Sequence, residues 1–246
     1  MKKFLLLTLA VVLSCAVGYA KGNGTDDNAK TPDGVEAVDL GLSVKWANMN
    51  VGAKKASDYG SYFAWGETKT KEFFSWNNYA WTKGNNKFQT KYSSLEKTAR
   101  MAPANRGEGL FLTKYSSMDK MTRLTPADDA ARANWGEGWR TPTAEEFEEL
   151  LNPAKCSWEW TTKNGVNGYK ITGKKTGNSI FMPITGFRFY GDVQFRGIMG
   201  VYWTATLYPA NPNMAWCLEF NVTDADVVFG NLSSNRFSGR CVRAVK

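Results

Sequence analysis

The stretch Gly136–Leu151 predicts a short helix whose start and end are both encoded in the sequence. Thr143 and Glu146 have the spacing of a capping box, in which each side chain bonds to the backbone amide of the other residue. Asn152-Pro153 cannot continue the helix and predicts its end. The apolar residues that share one helical face are Ala144, Phe147, Leu150 and Leu151. Because a helix this short needs its apolar face covered, we expect it to pack on a sheet formed by later strands.

A second helix is predicted just before the first stretch. Thr125 is its expected cap, with Pro126 in the first turn, and either Asn134 or Gly136 ends it. Small residues form its expected packing face, namely Ala127, Ala130 and Ala131.

Short strands are predicted on both sides of these helices. A hairpin is expected from Ser157 to Ile171, with Asn164-Gly165 and Asn167-Gly168 as turn signals. The other predicted strands are two within 35–51, then 61–65, 179–184, 201–206, 215–221 and 239–245. Loops are predicted at 186–200, 207–213 and 221–238. Residues 67–124 lack periodicity and predict a long irregular region whose aromatic rings fill small satellite cores.

The run Gly138-Trp139-Arg140-Thr141-Pro142-Thr143-x-x-Glu146-Phe147 resembles the G-(W/Y)-R-(L/M)-P-T-x-x-E-(W/F) box of the Fibrobacter major paralogous domain family. Similar boxes occur in related lectin-like domains, including the formylglycine-generating enzymes. Further stretches resemble landmarks of the same family: Val38–Ala47, Phe63–Thr68, Tyr202–Thr206 and Arg240–Arg243. The resemblance implies an α+β, C-type-lectin-like domain over residues 35–246, with two short helices packed on small antiparallel sheets and with long ordered loops.

The leading interpretation is a binding protein that presents its late loops, residues 202–238, to a protein or glycan. Tyrosine and phenylalanine supply contact area there, and asparagine, aspartate and threonine supply adaptable hydrogen bonds. The candidate ligand-binding residues are Tyr202, Thr204, Thr206, Tyr208, Asn213, Asp224, Asp226, Phe229, Asn235 and Phe237. Domains that this chain resembles are also targets of diversity-generating retroelements, which vary codons in this part of the gene. Ordinary turn residues without a ligand are the alternative.

The N-terminus predicts export. Lys2-Lys3 precedes an apolar run from Phe4 to Leu13, which is too short to span a bilayer, so residues 1–20 are interpreted as a signal peptide. The alternative is a lipoprotein signal that ends before Cys15, which would place a lipid anchor on that residue. Residues 21–34 form a flexible tether. The expected location is the outer-membrane surface or the extracellular space, with membrane contact only through Cys15.

Catalysis and cofactors are not expected. The chain has no histidine, which removes the Ser-His and Cys-His nucleophiles and the commonest nitrogen ligand of zinc. Formylglycine-generating relatives use two neighbouring cysteines, whereas Cys217 and Cys241 are far apart in sequence, so that oxidase activity is not carried over. These two cysteines form either a disulfide or separate thiols, and Cys156 is expected to be a buried thiol.

Three minor alternatives remain at this stage. Glu67 and Glu137 each follow a Trp-Gly pair and would serve as a glycosidase pair only if the fold brought them together. Asp224 and Asp226 offer oxygen ligands suitable for calcium. The chain is also compatible with a structural or adhesin role in a surface assembly or pilus tip. Nucleic acid is not an expected partner, since the formal charge of +8 is scattered rather than gathered in a stripe.

Overall fold

A computed structural model describes residues 30–83, 111–221 and 229–246. The fold is α+β, with mostly small antiparallel sheets and two short helices. The helices are α1 (Ala130–Trp135) and α2 (Ala144–Leu151). The strands are β1 (Ala37–Val38), β2 (Trp46–Ala47), β3 (Thr82–Lys83), β4 (Phe111–Leu112), β5 (Cys156–Lys163), β6 (Val166–Gly173), β7 (Ser179–Pro183), β8 (Phe187–Phe189), β9 (Asp192–Gln194), β10 (Met199–Leu207), β11 (Met214–Asn221) and β12 (Phe229–Asn235). No helix within the described ranges is long and apolar enough to cross a membrane.

Helix α2 confirms the predicted capping box. The Thr143 hydroxyl accepts a hydrogen bond of 3.3 Å from the Glu146 amide, and the Glu146 carboxylate accepts one of 2.8 Å from the Thr143 amide. Phe147 and Leu150 are fully buried on the predicted face. The ring of Phe147 lies 5.1 Å from that of Trp46, so the helix is held against strand β2.

The predicted start of the second helix is wrong. Thr125 and Pro126 begin a 3-10 turn (Pro126–Asp128), and helix α1 begins only at Ala130. Its cap is Asp129, whose carboxylate accepts the amides of Ala131 and Arg132 and also bonds to Thr141. The Asp129 carboxylate bonds to two helix amides and to a distant threonine, so it caps the helix more favourably than the hydroxyl of Thr125 would. Gly136, with φ of 90°, ends the helix as predicted, whereas Ala127 is exposed.

The hairpin of β5 and β6 is confirmed, and β7 pairs with β6 to complete a three-stranded sheet. Asn164 and Gly165 form its turn, with φ of 51° and 77°. The second predicted turn is wrong, because Gly168 lies within β6. A side chain at Gly168 would place its Cβ 2.3 Å from the Met182 carbonyl oxygen, so glycine is needed there for close strand packing.

A second three-stranded sheet, β10-β11-β12, divides the core into two clusters. Cluster I includes Tyr202, Leu218 and Phe220, together with the inner face of α2. Cluster II includes Trp203 and Cys217, together with the buried residues of α1. Adjacent residues of one strand thus face different clusters, as the alternation of a strand requires.

Segment 240–245 extends this dividing layer, although it is not the continuous strand that the sequence predicts. It bonds to several neighbours in turn, through single bridges between Cys241 and Tyr202, Arg240 and Phe63, and Val245 and Trp46. Residues 61–65, which the sequence predicts as a strand, form only one bridge to this segment. A segment that changes partner every few residues builds no ladder, even though every residue from 240 to 245 is buried.

Cys217 and Cys241 form no disulfide, and neither does Cys156. Cys217 belongs to cluster II and Cys241 to cluster I, so their side chains point to opposite faces of the dividing layer. Cys156 is buried as predicted, and burial raises the pKa of its thiol.

Two stretches predicted as loops contain strands. Residues 186–200 form the β8–β9 hairpin, whose turn at Tyr190 has φ of 54°. Residues 221–238 contain β12, which pairs with β11. In the irregular region, Trp76 and Tyr79 are buried, but they belong to cluster I rather than to the small satellite cores predicted. Phe88 and Tyr92 lie outside the described residues.

Candidate functional site

The ten candidate ligand-binding residues do not form one surface. Three of them are buried and are therefore wrong as surface residues, namely Tyr202, Thr204 and Phe237. Three others lie outside the described residues or have only a described backbone, namely Asp224, Asp226 and Phe229. The remaining four are half-buried, namely Thr206, Tyr208, Asn213 and Asn235. The calcium alternative at Asp224 and Asp226 likewise falls outside the described residues.

Each of the three buried residues has a packing role. The Tyr202 hydroxyl donates to the Pro183 carbonyl at 2.6 Å, and burial raises the pKa of this phenol far above its usual value. The Thr204 hydroxyl donates to the Trp216 carbonyl at 2.9 Å. Phe237 is 1% exposed, and its ring lies 4.9 Å from that of Trp76. These residues have side chains of the types expected at a binding surface, but the dividing layer is buried on both faces and covers them.

Thr206 is committed to the scaffold. Its hydroxyl accepts a hydrogen bond of 3.1 Å from the Ala144 amide, which is the first amide of helix α2. This contact satisfies a helix donor that has no partner within the helix and ties α2 to the end of β10.

The other half-buried candidates meet at one end of the sheet, in a group that we call the 208 corner. Its members are Tyr208, Asn211, Asn213, Trp216 and Asn235. The Tyr208 amide donates to the Met214 carbonyl at 3.1 Å and so closes the turn between β10 and β11. Met214 in turn pairs with Asn235 at the end of β12, which places the asparagine beside this turn.

The sequence predicts core positions for Trp139, Trp203 and Trp216, but Trp216 is half-buried and lies in the 208 corner. Its ring lies 5.1 Å from that of Tyr208, edge to face at 81°. The ladder between β11 and β12 shifts register between Ala215 and Cys217. A bulge of this kind interrupts the regular pairing of β11 and β12 beside Trp216. Trp139 and Trp203 are buried as predicted.

Arg236 fixes the corner from beneath and was not identified from the sequence. Its guanidinium donates to the Pro212 carbonyl at 2.8 Å, to the Tyr115 carbonyl at 3.1 Å and to the Tyr79 hydroxyl at 2.8 Å. It also lies 5.0 Å from the ring centroid of Trp65. Its own amide donates to the Asn213 carbonyl at 3.0 Å. The turn that carries Tyr208 is therefore held by a fully buried cation rather than left loose.

The corner also presents amide groups. Asn211 Oδ1 accepts the Asn213 amide at 3.0 Å, which orders the turn. Asn235 Oδ1 is buried and has no hydrogen-bond partner among the described residues. Aromatic rings beside amide side chains combine apolar contact area with hydrogen-bonding capacity, which suits sugar hydroxyls and polar protein surfaces alike.

The second part of the predicted 202–238 surface is the stretch between β11 and β12. It begins at the end of the sheet opposite the 208 corner. Strand β11 runs from Met214, beside the 208 corner, to Asn221, and β12 begins at Phe229. Seven strand steps of about 3.4 Å separate the two ends by roughly 24 Å. Asn221 therefore lies away from the 208 corner, whereas Phe229, which pairs with Leu218, lies about midway along β11.

The glycosidase alternative lacks support in the geometry. Glu67 is buried, and its carboxylate accepts Lys71 Nζ at 2.9 Å and the Ala80 amide at 2.8 Å. Glu137 is exposed and pairs with Arg132. A small internal cavity beside Glu67 and Asp128 has a volume of about 10 Å³, which holds about one water molecule rather than a sugar ring. Across residues 30–83, 111–221 and 229–246, no three metal-binding side chains gather.

Comparison of the chain with protein-family models, with curated proteins and with solved structures finds no match.

Proposed function

We propose that the chain is an exported, surface-displayed binding protein of C-type-lectin-like fold, and that the 208 corner is its ligand-contact surface. The proposal combines the sequence resemblance described above with the α+β arrangement of two short helices on small antiparallel sheets. The ligand is a protein or a glycan of a cell surface. The retained members of the predicted surface, Tyr208, Asn213 and Asn235, are joined in the corner by Asn211 and Trp216.

The observation that carries the proposal is the Tyr208–Trp216 ring pair among asparagine amides. Both rings are half-buried, so each keeps contact area for a ligand while its position is fixed by a neighbour. Because Arg236 holds the turn beneath them, little conformational entropy is lost when a ligand binds. Rigid aromatic contacts beside adaptable amides are typical of recognition surfaces.

The test is an array of glycans and surface proteins probed with the chain from Lys21 onwards. Trp216→Ala should lose the ligand that the unchanged chain retains, and Tyr208→Ala should weaken it. Trp160→Ala is the matched control, because Trp160 is a partly exposed aromatic residue on β5, in the other three-stranded sheet. Equal losses from Trp160→Ala and Trp216→Ala would contradict a site at the corner.

Export is part of the same proposal. Mass spectrometry of the native N-terminus should find a chain that starts at Lys21 or, in the lipoprotein alternative, at a lipidated Cys15. A native chain that keeps residues 1–14 in the cytoplasm would contradict export. Co-purification with a surface assembly from intact cells would favour the structural or adhesin role over a separate binder.

Diversification by a retroelement is a narrower form of the proposal. It predicts a neighbouring reverse-transcriptase gene and a near-copy of the coding segment for residues 202–238 that differs at adenines. The buried Tyr202, Thr204 and Phe237 should be unvaried in related copies, since substitution there would disturb the core. Variation concentrated at these three positions would contradict the proposal.

A further inference from the structure

A second surface lies at the end of the β10-β11-β12 sheet opposite the 208 corner. It joins segments 54–59, 163–167 and 195–198, which are far apart in sequence. Asn164 Nδ2 donates to the Ser57 hydroxyl at 3.2 Å, and the Arg196 guanidinium lies 4.9 Å from the ring centroid of Tyr59. Ile184 links segments 163–167 and 195–198, because its amide donates to the Asn167 carbonyl and its carbonyl accepts the Gly197 amide.

Two large apolar side chains project from this surface. Phe195 is 51% exposed and Ile198 is 55% exposed, in the short run that leads into β10. The run is ordered, because the Phe195 carbonyl accepts the amides of Ile198 at 3.0 Å and Met199 at 2.9 Å. Phe195 has φ of 54°, a left-handed conformation that is unfavourable for an aromatic residue. The fold thus holds an exposed ring in a strained position instead of turning it inward.

The surroundings of these two side chains are basic. Four cationic side chains are exposed on the three segments, namely Lys54, Lys55, Lys163 and Arg196. The one acidic residue in these segments is Asp58, whose carboxylate accepts the backbone amides of Lys54 and Lys55 and lies 3.9 Å from Lys55 Nζ. On the neighbouring strand β11, Glu219 pairs with Arg240 at 3.1 Å. Among the described residues, this surface therefore carries excess positive charge around an apolar tip.

We propose that this surface, which we call the 195 patch, docks the domain on an anionic membrane. Phe195 and Ile198 enter the boundary between headgroups and acyl chains, and the four cations contact lipid phosphates. The 195 patch consists of Lys54, Lys55, Lys163, Phe195, Arg196 and Ile198. This contact adds to the membrane contact predicted through Cys15 and does not depend on the ligand of the 208 corner.

A membrane fits the two components of the patch together. A hydrated polyanion would satisfy the cations but would leave Ile198 in water, whereas a bilayer offers charge at its surface and hydrocarbon just below. Arg196 lies over the ring of Tyr59 and donates to the Tyr62 hydroxyl at 3.3 Å, so its charge is oriented before contact. Docking by this end would direct the 208 corner away from the membrane, since the two lie at opposite ends of β11.

Flotation with lipid vesicles tests the proposal. The chain from Lys21 onwards retains every described contact and excludes an acyl group on Cys15. It should float with vesicles of phosphatidylcholine and phosphatidylglycerol and should stay unbound with phosphatidylcholine alone. The double variant Phe195→Ser/Ile198→Ser, and separately Lys163→Gln/Arg196→Gln, should lower vesicle partitioning by roughly tenfold or more.

Controls lie on the segment after Tyr115, whose carbonyl bonds to Arg236 near the 208 corner. Met118→Ser removes a side chain that is 85% exposed, and Lys120→Gln removes an exposed charge. Both should leave partitioning unchanged, and all variants should keep the melting temperature of the unchanged chain. Binding that ignores lipid charge, or losses shared by the controls, would overturn the proposal.

Binding to dextran sulfate, a soluble polyanion, distinguishes a site for membranes from a site for polyanions in general. The membrane proposal expects the Phe195→Ser/Ile198→Ser variant to lose vesicle binding even though it keeps its charges. A variant that still binds vesicles as the unchanged chain does would overturn the proposal. So would a chain that binds dextran sulfate but no anionic vesicle, because the patch would then be a site for polyanions.

Discussion

Arg243 donates a hydrogen bond of 2.8 Å from Nε to Asn50 Oδ1, across 193 positions of sequence. The same guanidinium donates to the Ala47 carbonyl at 2.9 Å and to the Phe181 carbonyl at 2.8 Å. These three acceptors are neutral, and burial lowers the pKa of Arg243 to about 10. One buried cation thus holds the residues after β2, strand β7 and segment 240–245 together.

Replacing Arg243 should therefore be severe. Arg243→Lys supplies one ammonium in place of a planar fork and cannot reach all three acceptors, so we expect a loss of at least about 3 kcal/mol in the free energy of unfolding. Urea denaturation gives this value. Lys246→Gln is the control at a neighbouring exposed cation, and similar midpoints for both variants would contradict the assigned role.

Helix α2 gives a paired prediction. Phe147→Ala should cost about 3–5 kcal/mol, because it leaves a cavity against Trp46 in cluster I. Thr143→Ala should cost only about 1 kcal/mol, the usual loss for a helix cap. Denaturant midpoints measure both values. Equal and negligible effects would mean that the apolar face of the helix does not stabilise the domain.

We expect replacements of Phe237 and Tyr208 to differ in their effect on stability, although both residues were candidates for the same binding surface. Phe237→Ala should lower the free energy of unfolding by about 3–5 kcal/mol, since its ring fills cluster I beside Trp76. Tyr208→Ala should lower it by under about 1 kcal/mol, because Tyr208 lies at the surface of the 208 corner. Thermal unfolding of the two variants checks this, and it would be contradicted if Tyr208→Ala were the more harmful change.

Buried phenols predict unfolding in alkali. Burial raises the pKa of Tyr62 to about 12 and also raises the pKa values of Tyr79, Tyr115 and Tyr202. Below pH 10 both states keep these protons. As the pH rises from 10 towards 12, the unfolded chain releases them and the folded chain does not, so stability falls. Arg243, with its lowered pKa, opposes this trend as a single group.

Tyrosinate absorbance and circular dichroism should therefore change together in that pH range. Tyr62→Phe removes one of the four protons, so its free energy of unfolding should fall less steeply with pH. Tyrosinate signals that appear for all phenols near pH 10, while the fold is intact, would contradict the burial of these groups.

The features that the sequence predicted well are local. The capping box of Thr143 and Glu146 and the Asn164-Gly165 turn depend on residues a few positions apart, so their patterns identify them. The start of α1 was wrong because its cap, Asp129, is selected partly by Thr141, which only the fold brings near.

The candidate site was harder to predict because exposure depends on tertiary packing. Tyr202 and Phe237 have the residue types of a binding loop, yet the dividing layer covers both of them. Alternation predicts Trp216 as a core residue, yet it is half-buried near the end of β11, beside Tyr208. Arg236 gave no local signal at all, since an isolated arginine in sequence is usually exposed.

Segment 240–245 has a consequence for how the domain folds. Its hydrogen bonds to residues 47 and 51 close loops of almost the whole described chain, and both clusters stay open until it is in place. Closing such long loops costs entropy before any contact is gained, so folding should take on the order of milliseconds to seconds. A nascent chain would stay unfolded until these residues had emerged from the ribosome, and the proposed export requires such an extended state.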